Sequence, residues 1–233
     1  MTGALSLTVL LGFARTFFFR AWFPDWAAAH GAPERIFFAH GIVFALWYAL
    51  LVAQASLIAV RRVTLHRRIG FAGAGLAASV VALGTAGSLI AARRPTGFID
   101  VPVPPLQFLI VPLGIMALYA AFTALALWRR RDAQAHKRYL LLASIVIIEA
   151  AVTRWPFAFM TADSPVPLLD ISSVVTDLFL LPMVVWDLRS RGKIHRVTLF
   201  GGLAIIAVHA ARLPLASTDA WQAVAGWAVH LLG

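Results

Sequence analysis

Three histidines recur at equivalent places in the chain, each in a short basic segment between two long apolar stretches. They are His66, His136 and His195, and each precedes an arginine or a lysine. Imidazoles at one depth could bind a transition metal, and a pair on facing helices could ligate a haem iron. The basic neighbours disfavour a bound cation, so contact with lipid phosphate or a loop carbonyl is the alternative interpretation. A separate pair, His40 and His209, could flank another metal site.

Other ionisable side chains stand inside the apolar stretches, where the cost of burying a charge marks a functional candidate. Their spacing gives some order, because Asp170, Ser173 and Asp177 share one face of a helix. His40 and Gln54 likewise share one face of another helix. The predicted ligand-binding residues are Arg15, His40, Gln54, Glu149, Arg154, Asp170 and Asp177.

These residues predict a polar pocket on the side of the membrane away from the basic segments. In that pocket Arg15 and Arg154 would offset the carboxylates. A bundle can also use buried ion pairs and hydrogen bonds to fix the register of its helices without any ligand. Arg154, which precedes Trp155 and Pro156, could instead extend to the lipid headgroups. Whether water or lipid surrounds these helices follows from the composition.

The composition requires lipid as the solvent for most of the protein surface. Hydrophobic residues make up 61% of the 233 residues and charged residues 13%, against roughly 45–50% and 25% in an average soluble domain. Most of the 20 Lys and Arg residues fall in three clusters, at 61–68, 129–138 and 189–196. Because the clusters separate apolar stretches, we interpret the net charge of +10 as a topology signal and exclude nucleic acid as a partner.

Seven apolar stretches are long enough to cross a bilayer, which takes about 20 residues. They are 4–22, 36–60, 69–92, 106–128, 139–160, 165–186 and 197–213. The shorter segment 220–232 predicts a helix that lies at the membrane interface. The expected fold is therefore all-α, a single polytopic transmembrane helical bundle over residues 1–233 with about seven spans.

The stretches pair into three similar hairpins, 36–92, 106–160 and 165–213, which follow an unpaired first helix. Each hairpin turns through one of the basic clusters. Because basic loops stay in the cytoplasm, the N-terminus is predicted to be cytoplasmic and the C-terminus external. The expected location is a bacterial inner membrane.

Several of these residues also form an ordered pattern. In chain order it reads His40-Gly41, Gln54, Leu65-His66-Arg67-Arg68-Ile69-Gly70, His136-Lys137-Arg138 and Arg154-Trp155-Pro156. This order resembles a widespread family of uncharacterised bacterial multi-pass membrane proteins, which has an arginine in place of Lys137. The resemblance covers residues 40–156, about half of the chain. It implies that His40, Gln54, His66, His136 and Arg154 belong to the family pattern, and it carries no activity.

The leading functional hypothesis is a non-enzymatic membrane protein that binds a small ligand, metal or ion in a polar intramembrane pocket. A second is a b-type haem protein for electron transfer, with the loop histidines, or His40 and His209, as axial ligands. A third is an accessory or assembly subunit with a membrane-protein partner. The sequence has no cysteine, P-loop, dinucleotide glycine fingerprint or His-Glu-x-x-His motif, so no common soluble-type enzyme is indicated.

Overall fold

The computed structural model describes residues 1–99, 101, 103–155 and 168–231. Every regular element in these ranges is helical, which confirms the all-α class. The α-helices are α1 (Thr2–Gly12), α2 (Pro24–His30), α3 (Arg35–Ala59), α4 (Val63–Arg93), α5 (Pro105–Phe108), α6 (Ile110–Trp128), α7 (Ala133–Ile147), α8 (Glu149–Val152), α9 (Leu168–Leu178), α10 (Leu181–Arg191), α11 (Arg196–Ala216) and α12 (Asp219–His230).

Five helical segments in the described part of the chain are long and apolar enough to cross a membrane. They are Arg35–Ala59, Val63–Arg93, Pro105–Trp128, Leu169–Arg191 and Arg196–Ala216. The third joins α5 to α6, and the fourth joins α9 to α10. The chain thus has the helices of a multi-pass membrane protein, but two of the seven predicted spans are not among them.

The first predicted span, 4–22, is wrong because its α-helix ends at Gly12. The chain continues as a π-helical turn, Ala14–Phe18, and a 3-10 turn, Arg20–Trp22. The 11 residues of α1 rise about 16 Å, which is half of a bilayer core.

The fifth predicted span, 139–160, is also not one of the five. Its helix begins earlier, at Ala133, so α7 carries the charged side chains of Lys137 and Arg138 in its first turns. At Ile148 the backbone N–H bonds to the Ile145 carbonyl, three residues back, before the short α8 begins. Residues 156–160 lie outside the described part of the chain.

Three tight turns lie together at one end of the bundle. They are formed by residues 60–62, 129–132 and 192–195, and we call this end the basic end because the three basic clusters flank these turns. Arg61 and Gly192 adopt positive φ angles of 60° and 68°, which close two of the turns. His66, His136 and His195, which were predicted to share one depth, therefore all lie near the basic end of the bundle.

Side chains cap the helices that leave two of these turns. The Asp132 carboxylate accepts hydrogen bonds from the backbone N–H groups of Gln134 and Ala135, at 2.9 and 3.1 Å. His195 Nδ1 accepts from the backbone N–H of Val197 at 3.1 Å. Capping satisfies N–H groups that have no partner within the helix, and it places His136 in the first turn of α7.

The centre of the bundle is α7, whose middle residues Leu142, Ala143, Ile145 and Val146 are fully buried. Ser144 joins this helix to α3, because Trp47 Nε1 donates to its hydroxyl at 3.1 Å and Tyr48 donates to its carbonyl at 2.8 Å. By contrast, α3 exposes large apolar side chains on its other face, as a lipid-facing helix does. The charged side chains of α7 are confined to its first turns, and the buried part that follows is apolar.

Candidate functional site

A cavity of about 80 Å³ lies near the basic end, between α3, α4, α6 and α7. We call it the basic-end cavity. Its polar lining consists of Gln54, His66, Thr123 and His136, and Trp47 and several leucine and alanine side chains complete the wall. Three of the predicted site residues, Gln54, His66 and His136, therefore meet at one place.

The turns of the basic end determine which side chains reach this cavity. His66 lies in the first turn of α4 and His136 in the first turn of α7, so both imidazoles enter from the same end. Gly70 and Gly73 line the cavity one and two turns after His66. A Cβ atom at Gly70 would lie 3.8 Å from Gln54 Nε2, so the glycine leaves the amide accessible.

The hydrogen bonds of these side chains leave acceptors directed at the cavity. His136 Nδ1 lies 2.8 Å from the Ala126 carbonyl oxygen, which can only accept, so Nδ1 carries the hydrogen. The Nε2 atom of the neutral ring then keeps its lone pair. Gln54 Oε1 and His66 Nδ1 are buried, and neither has a hydrogen-bond partner among the described residues.

An open apolar groove of about 470 Å³ continues from the cavity along the faces of α3 and α4. Leu50 and Gly73 line both the groove and the cavity. The remaining groove residues are Leu46, Ala49, Ala53, Ala72 and Leu76. The groove is lined by apolar side chains alone and adjoins the polar lining of the cavity, so it could hold a hydrocarbon chain whose polar head lies in the cavity.

A second polar site lies at the end of the bundle away from the basic turns. Its members are Glu149, Asp177, His209 and Arg212, and we call it the buried charge cluster. Arg212 donates hydrogen bonds to the Glu149 carboxylate through two nitrogens, from Nη1 to Oε2 at 2.7 Å and from Nη2 to Oε1. His209 lies between the two carboxylates, with Nδ1 2.9 Å from Asp177 Oδ1 and Nε2 3.7 Å from Glu149 Oε2.

Hydroxyl groups of α9 surround the ion pair. Ser173 accepts a hydrogen bond from Arg212 Nη2 at 2.7 Å and donates to the Leu169 carbonyl at 2.6 Å. Ser172 Oγ lies 3.2 Å from Glu149 Oε1. Buried carboxylates need such partners because an unpaired ion in a low-dielectric interior costs several kcal/mol. The polar face predicted for α9 therefore does meet the bundle interior through Ser173 and Asp177.

Another buried ion pair joins the helices at the basic end. Arg138 Nε donates to Asp187 Oδ1 at 3.1 Å, and the Asp187 carboxylate also accepts from the His195 backbone N–H and the Thr198 hydroxyl. The sequence placed Arg138 in a basic cluster at a membrane surface, but its side chain is buried. The pair ties α7, α10 and the start of α11 together.

The remaining predicted residues do not line the basic-end cavity and are not members of the buried charge cluster. The His40 ring stacks on Phe44 with centroids 4.0 Å apart, and Arg154 lies over the ring of Phe13 at 5.1 Å. Arg15 and Asp170 are exposed. Thus the pocket predicted from Arg15, Asp170 and Arg154 together with Glu149 is not one site in the structure.

The partner of Glu149 corrects the predicted charge balance. Arg15 and Arg154 were expected to offset the carboxylates, but the ion-pair partner of Glu149 is Arg212. A signal for it was present, since Arg212 follows His209 by three residues and so lies on the same face of α11.

The loop histidines do not converge as a set of three. His195 uses its Nδ1 to cap α11, whereas His66 and His136 line the basic-end cavity. No group of three or more His, Cys, Asp or Glu side chains placed to hold a metal ion occurs within the described ranges. A metal at the basic end would therefore have two imidazole ligands from this chain.

Comparisons with protein-family models, with curated proteins and with solved structures found no match to this chain. The resemblance to a family of bacterial membrane proteins stays a prediction. What the protein does has to be inferred from its own side chains, of which those in the basic-end cavity are the most informative.

Proposed function

We propose that this multi-pass membrane protein binds a small, uncharged, hydroxyl-bearing amphiphile, with its head in the basic-end cavity and its tail in the apolar groove. The observation that carries the proposal is a pair of buried atoms without a partner among the described residues, Gln54 Oε1 and His66 Nδ1, both on side chains that line that cavity. Gln54 Oε1 accepts a hydrogen bond, and so does His66 Nδ1 when the ring hydrogen is on Nε2. A buried acceptor without a partner costs about 1–3 kcal/mol, and a hydroxyl donor from a ligand would remove that cost.

The charges around the cavity favour an uncharged head. Its polar lining carries no acidic side chain, and basic clusters flank the turns at this end of the bundle. A cationic head such as an ammonium group would be repelled by the arginines of these clusters. An anionic head needs several donors in the lining itself, but the Nδ1 hydrogen of His136 is committed to Ala126 and the Thr123 hydroxyl donates to the Tyr119 carbonyl, which leaves the Gln54 amide. An uncharged hydroxyl group avoids the repulsion and brings its own hydrogen-bond donor.

The dimensions favour a small head on a hydrocarbon tail. A pocket for a drug-sized ligand usually measures about 300–1,000 Å³, whereas the cavity measures about 80 Å³. The groove of about 470 Å³ has the volume for a chain of methylene groups. Because lipid is as apolar as the groove, the tail gains little free energy when it moves from the lipid into the groove. Selectivity must therefore come from the hydrogen bonds of the head.

A second candidate is a transition metal bound by His66 and His136. It is favoured by the hydrogen bond from His136 Nδ1 to a backbone carbonyl, since metal-binding histidines commonly donate their other ring hydrogen in this way. Elemental analysis and one absorption spectrum of purified protein test it. Stoichiometric metal, or a Soret band after expression with haem, would replace the amphiphile proposal.

The test of the amphiphile uses a twelve-carbon alcohol with a photoreactive diazirine on its chain. Protein in lipid nanodiscs is illuminated with this probe, and the labelled residues are mapped by mass spectrometry. We expect labels concentrated on the groove, at Leu46, Ala53 and Leu76. Excess 1-dodecanol should prevent this labelling, whereas dodecane and dodecyl phosphate should not.

Matched variants separate recognition of the head from general partitioning into lipid. Gln54→Leu removes an acceptor from the cavity, and Gln107→Leu changes a half-buried glutamine at the other end of the bundle. Only the first should reduce groove labelling, by about tenfold if one hydrogen bond of roughly 1.4 kcal/mol is lost. If Gln54→Leu fails to fold, Gly70→Val narrows the same cavity, with Gly75→Val as its control.

Two outcomes would overturn the proposal. Labels spread evenly over the lipid-facing helices would show that the probe only partitions into the bilayer. Competition by dodecyl phosphate but not by dodecanol would show that the cavity selects an anion.

A further inference from the structure

If Arg212 were its only positive side chain, the buried charge cluster would carry a net negative charge. Glu149 and Asp177 carry two negative charges, and Arg212 carries one positive charge. His209 is the fourth ionisable member, and one proton on its ring makes the cluster neutral. Because a net charge inside a membrane protein is costly, the charge count requires one additional proton in the cluster.

The position of His209 suits it to hold that proton. Its side chain is 4% exposed, and its two ring nitrogens point at different carboxylates, Asp177 at 2.9 Å and Glu149 at 3.7 Å. The Nε2 atom has no hydrogen-bond partner among the described residues, although it is buried and directed at Glu149. Only the doubly protonated ring presents a hydrogen to both carboxylates.

Arg154, which follows α8, makes contacts of its own: its guanidinium lies over the Phe13 ring at 5.1 Å, and its Nη1 donates to the Ala150 carbonyl. The segments Pro105–Phe108 and Ile110–Trp128, which pack on α11, contain no ionisable side chain except Tyr119. The charged residues of α7 and α10 lie at the basic end, where Arg138 is paired with Asp187. On α9 the other carboxylate, Asp170, is exposed, and on α12 Asp219 is exposed.

We propose that the buried charge cluster is a proton-binding site, with the proton held on His209 and exchanged with the membrane surface through Asp177. This activity is independent of the ligand proposed for the basic-end cavity, which lies at the other end of the bundle. A metal ion is not the ligand of this site, because Arg212 already occupies both carboxylate oxygens of Glu149.

The exchange involves one proton and no other reactant. His209 passes the hydrogen on Nδ1 to Asp177 Oδ1, which leaves a neutral imidazole and a neutral carboxyl group. Asp177 is 21% exposed, so from its side chain the proton can leave the cluster, and Asp177 returns to the carboxylate. The cluster then carries one negative charge until a proton enters by the reverse path. Glu149 keeps its charge throughout because Arg212 holds it.

The protonation of His209 is tested by nuclear magnetic resonance on protein with ¹⁵N in its histidine rings. The His209 signals are assigned by their loss in His209→Gln. At neutral pH we expect both His209 ring nitrogens to carry hydrogen. In Asp177→Asn the cluster is already neutral without the additional proton, so His209 should lose it. Asp170→Asn, an exposed carboxylate on the same helix, should leave the His209 signals unchanged.

Infrared spectroscopy supplies a measurement that does not depend on His209→Gln folding. The account predicts no carboxylic acid C=O band assignable to Glu149 or Asp177 at neutral pH. Such a band, removed by Glu149→Gln or Asp177→Asn, would place the proton on a carboxylate and overturn the assignment to His209. A His209 ring with one bare nitrogen at neutral pH, or identical spectra of Asp177→Asn and Asp170→Asn, would overturn it as well.

Discussion

Arg212 and Glu149, 63 residues apart in the chain, form a two-point ion pair inside the bundle. Their side chains are 3% and 2% exposed. The pair joins α11 to α8, and Arg212 also donates to the Ser173 hydroxyl of α9. It is therefore the contact whose loss should be most visible in the stability of the protein.

Removal of either partner alone should be strongly destabilising. Arg212→Met or Glu149→Leu leaves an unpaired buried charge, which costs about 3–5 kcal/mol. The double variant leaves neither and should cost less than either single change. The free energy of unfolding in mixed detergent micelles measures this. Arg94→Ala, which breaks the exposed pair with Glu34, is the control and should cost at most about 1 kcal/mol. Equal effects of Arg212→Met and Arg94→Ala would contradict the buried pairing.

The contact of α1 with α8 should depend on the absence of a side chain at Gly12. A Cβ atom there would lie 2.7 Å from the Ala151 Cα, a backbone atom that cannot move aside. Gly12→Ala is therefore expected to lower the free energy of unfolding by about 1–3 kcal/mol. Gly3→Ala on the same helix meets nothing within 4 Å and should be neutral or slightly stabilising. Equal stability of the two variants would show that α1 does not pack as described.

Acidification should weaken the start of α11. Burial, with the charges of Arg138 and Arg191, lowers the pKa of His195 below its ordinary value of 6.5. Folding thus favours the neutral ring, whose Nδ1 accepts from Val197. The resulting stability is present in full above about pH 6.5 and is lost as the pH falls through the folded pKa.

His195→Asn is the variant that tests this, because asparagine caps helices without titrating. Between pH 7 and pH 5 the wild type should lose more stability than the variant. Parallel stability curves for the two proteins would count against the role of His195 as a cap.

The orientation in the membrane can be tested directly because the chain has no cysteine. Ser190 lies at the basic end and Ser217 at the other end, and both are exposed. If the basic end is cytoplasmic, a membrane-impermeant maleimide should label Ser217→Cys in intact cells and Ser190→Cys only after lysis. The reverse pattern would show that the basic end is external.

Much of the fold could be predicted because it depends on local sequence. Apolar stretches of membrane length and basic clusters between them indicate helices and the turns that join them. Pro182 falls within the sixth stretch and stands in the first turn of α10, and the helix is interrupted just before it. The end of α1 at Gly12 was not predictable, since 4–22 stays apolar while its backbone changes helix type.

The sites were harder to predict because they depend on how each helix is rotated about its axis. Gln54 meets His66 and His136 in one cavity at the basic end, whereas the sequence placed it with His40 in a pocket on the opposite side of the membrane. Glu149 selects Arg212 rather than Arg154, although Arg154 is nearer in the chain, because α11 turns that face toward α8. Sequence spacing shows which residues share a face of one helix, but not which face of another helix they meet.

The binding of an amphiphile in the basic-end cavity is tested most directly by a crystal structure with 12-bromododecan-1-ol. The account predicts anomalous bromine density in the groove beside Leu46 and Leu76, and the alcohol oxygen within hydrogen-bond distance of Gln54 or His66. Bromine found only on outer lipid-facing surfaces, with no alcohol oxygen in the cavity, would contradict it.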